Sequence, residues 1–203
     1  MKSGSSTVRS FPDARLVLAS ASPRRRELLA QLGVEFAVIE AAVEEHTGEQ
    51  LTAREVGLLN AHHKARAVAK QHADCLVIGA DTVVCLGARL FGKPGTITEA
   101  EAMLAALAGR THHVVTGVCL LELRHHRERL FAETSAVTFR ELDRPAIRRY
   151  LARINPLDKA GGYAIQEYGT DLISNLSGSF SNVMGLPLER LGAELGAWPG
   201  TTT

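Results

Sequence analysis

The sequence predicts an α/β protein built on a mixed β-sheet. Two observations carry this. Short segments rich in β-branched residues alternate with helical segments that open on Ser, Thr, Asp or Pro and close on glycine. The alternation keeps no strict strand–helix–strand rhythm, which argues against a fully parallel sheet. The 203 residues are 45% hydrophobic and 22% charged, enough to bury a substantial core in one domain.

The elements follow in order. Residues 1–14, MKSGSSTVRSFPDA, hold no apolar core of signal-peptide length and read as a flexible leader to a single domain at 15–203. Leu16-Val17-Leu18-Ala19 is a strand. Ser22 caps a helix over 23–32, with Pro23 at its first position and Gly33 as its stop. Residues 34–39 form a second strand. Thr52 and Glu55 have the spacing of a capping box, and Val56, Leu59, His63, Ala67 and Val68 continue a helix. Residues 76–84, LVIGADTVV, are a buried strand interrupted by Asp81. Thr98 and Glu101 repeat the capping box and open a helix that runs to Leu107 and closes at Gly109. Strands at 114–123 and 132–139 flank a charged turn at 124–129. A short helix covers 143–153, strand-like pieces lie at 163–165 and 172–173, and Pro187 opens the last helix.

The opening helix poses a problem. Arg24, Arg25 and Arg26 crowd its first turn, where the macrodipole is already positive and each cation costs about 0.3–1 kcal/mol. A bound anion reverses that sign, because backbone N–H groups and guanidinium forks then converge on it. A solvated helix face is the alternative. Successive helical residues point about 100° apart, so the three arginines cannot all face one ligand. Asp81 is the second feature. A carboxylate in an apolar run is costly to bury unless paired or metal-bound. At a strand end in a cleft it would serve as metal ligand or general base; as the bland alternative it caps a turn. Glu44 and Glu45 form an acidic pair, of a kind that is usually just solvated. Lys64, Lys93 and Lys159 are isolated cations, Lys93 fixed between Gly92 and Pro94 and Lys159 followed by the glycines of KAGGYAIQEYG.

Other chemistries fail on spacing. A net charge of +1 gives no whole-protein attraction to nucleic acid or an acidic membrane. Aromatic residues, 5% of the chain, do not alternate with basic ones, so no nucleic-acid stacking surface is expected. No apolar run reaches the roughly 18 residues of a membrane helix. Cys75, Cys85 and Cys119 form no CxxC pair, which points to a reducing cytoplasm. HExxH, GxxxxGK[ST], GxGxxG and GxSxG are all absent.

Together the motifs resemble the Maf family of nucleoside triphosphate pyrophosphatases. They are LVLASASPRRRELLAQLG at 16–33, VEE at 43–45, HKARAVA at 63–69, IGADTVV at 78–84 and GKP at 92–94. MLAALAGRTHHVVTGV at 103–118, PLDKAGGYAIQEYG at 156–169 and GSFSNVMGLPLERL at 178–191 complete the set. The resemblance implies an elongated mixed sheet flanked by helices, of the Maf and inosine-triphosphatase type, with two lobes around a deep substrate cleft. It implies hydrolysis of a nucleoside triphosphate to the monophosphate and pyrophosphate with a divalent cation, Mg²⁺ or alternatively Mn²⁺ or Co²⁺. It also implies a cytoplasmic homodimer. Ser20, Arg24 and Arg25 fall in the implied phosphate-binding segment. Glu45 and Asp81 are the implied metal ligands, with Asp81 also the base, and Lys64 and Lys93 contact the triphosphate. By the same resemblance Gln166 helps recognise the base or position the substrate. The segment GGYAIQ resembles the branch acting on dTTP and UTP; Glu167, after Gln166, replaces the small residue expected there. The sister branch, acting on 7-methyl-GTP, and a non-enzymatic role in septum formation are the alternatives.

Overall fold

The computed structural model describes residues 16–46 and 50–199, so the expected leader lies outside the described residues. Strand β1 (Leu16–Ala19) leads into helix α1 (Pro23–Ala30), and β2 (Ala37–Val38) pairs parallel with β1. Helix α2 (Ala53–Ala69) crosses back to β3 (Leu76–Leu86), which also pairs parallel with β1. From here the sheet is antiparallel. A hairpin brings β4 (Arg89–Phe91) onto the end of β3, and helix α3 (Ile97–Leu107) leads to the long strands β5 (Thr111–Glu122) and β6 (Arg127–Phe139). Helices α4 (Arg144–Leu151) and α5 (Gly169–Leu172) precede β7 (Ile173–Ser177), which pairs with β6. Helices α6 (Phe180–Met184) and α7 (Leu188–Gly196) close the chain. The sheet order is β2-β1-β3-β5-β6-β7, with β4 beside β3: the mixed sheet expected.

Local chemistry sets several of these ends. The Thr52–Glu55 capping box is present with both of its hydrogen bonds. Helix α3 starts two residues earlier than expected. Thr96 and Glu99 offer the same four-residue frame as Thr98 and Glu101, and Thr96 Oγ1 accepts the Glu99 N–H. Residues 34–39 contribute only Ala37–Val38 to the sheet. Residues 163–165 are no strand; they follow a 3₁₀ turn at Ala160–Gly162 whose Gly161 has φ +71°.

One sheet face is covered by α2. Val17, Ala19, Val77, Cys119 and Leu121 pack there against Ala61, Ala65 and Val68. Two glycines bring that helix unusually close. A Cβ at Gly79 would run into the Ala61 carbonyl oxygen, and one at Gly117 into the Gly57 backbone. The other face carries two cores. Leu18, Ile78, Leu120 and Phe131 meet α1 and α7 in one, and Val84, Val114, Val137 and Phe139 meet α3 and α4 in the other.

Candidate active site

The site begins with a break in strand pairing. On its β1 side, β3 is bonded to β1 only from Leu76 to Gly79, and β4 takes over only at Val84. Between them, among the described residues, no strand pairs with Ala80–Val83 on that edge. The chain leaving β1 turns there into α1, at a point where strand connections diverge, the usual place for a ligand crevice in an open α/β sheet. A cavity of about 770 Å³ opens at this gap. Every residue singled out for the site in the sequence lines it: Ser20, Arg24, Arg25, Glu45, Lys64, Asp81, Lys93 and Gln166.

Asp81 sits within β3, inside the run expected to be a buried strand, and the gap in pairing gives it the cleft without a strand end. Its side chain points to the α2 face, where Lys64 and Asn60 lie one turn apart on the buried side of the helix. Lys64 Nζ donates to Asp81 Oδ1 at 2.6 Å and to Glu45 Oε1 at 2.7 Å. Asn60 Nδ2 donates to Asp81 Oδ2 at 3.0 Å. Lys64 and Asp81 are 8% and 7% exposed, so this pair is buried and its partners compensate each other's lost hydration. Lys93 Nζ reaches Glu45 Oε1 at 3.5 Å from the outer side. Burial raises the Glu45 pKa, but the hydrogen bond and charge of Lys64, joined by Lys93, outweigh it and hold the carboxyl below its ordinary value.

The α1 terminus answers its own charge problem in part. Arg24 makes a two-point contact with Asp158, Nη1 to the carboxylate at 3.0 Å and Nη2 to the backbone carbonyl at 3.1 Å. Asp158 thus supplies the acid that the first turn lacks. Arg25 turns the other way: Nε donates to the Gly185 carbonyl at 2.9 Å and Nη2 to Thr82 Oγ1 at 3.0 Å. Burial draws its pKa below the ordinary value, opposed by the charges of Asp81 and Glu45. Thr82 continues to Thr116 Oγ1 at 3.0 Å, and Thr116 donates to the Asn182 carbonyl. Arg26 is exposed. Ser20 is buried, and its Oγ accepts the Ser22 N–H.

Sequence reasoning missed Asn60, Thr82 and Asp158. Asn60 was detectable, as an amide four residues before Lys64 on an otherwise apolar helical stripe. Asp158 meets Arg24 across 134 residues, and no local pattern announces that contact.

Among the described residues no group of three or more His, Cys, Asp or Glu gathers as a metal site. The donor set still suits a hard cation that draws most of its ligands from a substrate. Among the described residues Glu45 Oε2 has no hydrogen-bond partner, and Asp81 stands beside it through their shared Lys64.

A family model described as Maf-like protein matches residues 15–198. The chain belongs to the Maf family. Two similar proteins carry the same name. A dTTP/UTP pyrophosphatase of Myxococcus xanthus is 53% identical over 175 residues, 85% of this chain and 87% of that one. One of Pelotomaculum thermopropionicum is 46% identical over 176 residues, 87% and 92% of the two chains. Among solved structures, the Staphylococcus aureus Ham1 protein aligns with a TM-score of 0.52 at 17% identity, over 89% of this chain and 97% of that one. At that identity the likeness speaks for the fold.

Proposed function

We propose that this Maf protein is a pyrophosphatase that hydrolyses dTTP and UTP to the nucleoside monophosphate and pyrophosphate. The observation that carries the reading is the joining of two halves in one cleft. Buried Asp81, held by Lys64 and Asn60, opens onto the same space as the arginine-rich α1 terminus. The names of the relatives and the GGYAIQ segment supply the pyrimidine.

The chemistry follows from charge. A triphosphate carries about four negative charges, which repel a hydroxide-like nucleophile and grow on the leaving pyrophosphate. Lys64, Lys93, Arg24 and Arg25 hold and neutralise the chain, and the α1 N–H groups add their dipoles. Asp81 takes a proton from water as the water attacks the phosphorus next to the sugar. Its two oxygens are fixed by Lys64 and Asn60, so its orientation is set before substrate arrives. Ser20 acts as a hydrogen-bond donor, since no covalent intermediate is required. Glu45 and Asp81 would hold a divalent cation together with the triphosphate; when bound, it offsets charge on the phosphates. Gln166, which lines the same cavity, would help recognise the base or position the substrate.

Residues 15–203 would form one catalytic domain with two lobes about the cleft, working as a cytoplasmic homodimer. None of the described helices is long and apolar enough to cross a membrane.

The test is a panel of nucleoside triphosphates with Mg²⁺, scoring pyrophosphate and orthophosphate separately. Pyrophosphate release with the highest kcat/KM for dTTP and UTP is expected. Orthophosphate as the first product, or preference for 7-methyl-GTP, refutes the reading.

A further inference from the structure

We infer that Glu167 sets base preference in this protein: locked by Lys159, it fixes which way the Gln166 carboxamide faces, and so favours uracil and thymine over cytosine. The inference rests on the pyrimidine reading above and deepens it.

Lys159 is the anchor. It is 5% exposed, and its Nζ donates to the Asn155 carbonyl at 2.8 Å and to Asp158 Oδ1 at 2.9 Å. The third partner is Glu167 Oε1, at 3.3 Å. Two of its three N–H groups are thus used in hydrogen bonds, and Glu167 adds an ion pair. Asp158 is itself gripped by Arg24, which ties this cluster to the α1 end of the cleft. Glu167 is therefore held by a buried cation, although its own side chain is 36% exposed.

The oxygen that faces Lys159 also accepts from Gln166 Nε2, at 3.4 Å. A carboxylate only accepts, so it selects one of the two amide orientations. Turning the amide over would set Oε1 against a carboxylate oxygen and lose the bond. Gln166 lines the cavity, and among the described residues its Oε1 and second N–H have no partner. It thus presents an acceptor beside a donor, in an order that Glu167 dictates.

That order matters to a base whose position is fixed by its triphosphate. Uracil and thymine present an N3–H donor beside the O4 acceptor, whereas cytosine presents an N3 acceptor beside the N4 amino donor. A side-chain amide can pair with either, but only in opposite orientations. A site committed to one order leaves the wrong base with a donor facing a donor and an acceptor facing an acceptor, the kind of mismatch that discriminates strongly.

The experiment compares kcat/KM for UTP and CTP, by pyrophosphate release, in the wild type, Glu167→Gln and Glu167→Gly. In Glu167→Gln the new amide can accept or donate, so the orientation is no longer selected. The UTP-to-CTP ratio should fall about tenfold in both variants. Each ratio is taken within one protein, so a partial loss of stability cancels. A ratio within about twofold of wild type in both variants overturns the inference and leaves the substrate reading intact. A wild-type enzyme that hydrolyses neither UTP nor dTTP overturns both.

Discussion

At the scale of single residues, the site is a set of shared partners. Lys64 serves two carboxylates, Asp81 is held from two sides, and Asp158 serves both Arg24 and Lys159. Sharing fixes orientation, since no member can rotate without breaking a neighbour's bond. Asp81→Asn tests the base directly. The amide keeps the shape and the Asn60 and Lys64 neighbourhood but cannot take a proton at neutral pH. Turnover should drop by about 10²–10⁴-fold, and the unfolding midpoint should fall as well, because the amide sets an N–H against Lys64 or Asn60 and removes one carboxylate from the buried ammonium; turnover near wild type would remove Asp81 from that role. Most of these residues were visible in the sequence because their types are out of place: an acid in an apolar strand, and three cations at a positive helix end. Their pairings were not visible. Arg24 looked free for a ligand, and its link to Asp158 depends on a fold that closes a long loop.

At the scale of elements, helix α2 matters most, because its closeness to β3 and β5 sets the reach of Lys64 and Asn60. Gly79 makes that approach possible. The added methyl of Gly79→Ala meets backbone atoms of α2, which cannot swing aside. The helix must shift, at a cost of about 1–3 kcal/mol in urea unfolding, and activity should fall with it as Lys64 moves from Asp81. A variant of unchanged stability would show that the helix is not held at contact distance. Capped helices and the buried strand were legible because caps and periodicity are local signals. The β4 hairpin was not, being three residues long, and residues 163–165 misled because Tyr, Ala and Ile suit a strand while the preceding glycines demand a turn. The gap in pairing along β3 has no sequence signature at all, since it arises from where two other strands happen to end.

At the scale of the whole molecule, one sheet face is divided. Its two apolar cores are separated by Arg25, Thr82, Thr116 and Asn182, which bond to one another and not to oil. Interlocked aliphatic side chains resist sliding, because every displacement opens a void. A polar seam resists less, because water can stand in for each bond it loses. The five-residue helix α6 lies on this seam, while α2 is welded to the sheet by alanines and glycines. Native-state amide exchange should therefore find α6 opening by a local route, at lower free energy than the amides of α2. Equal protection in the two helices would mean the seam is as rigid as the cores. With α6 opening at lower free energy, the seam is the line along which this face of the sheet yields first, while the strands beneath it stay paired.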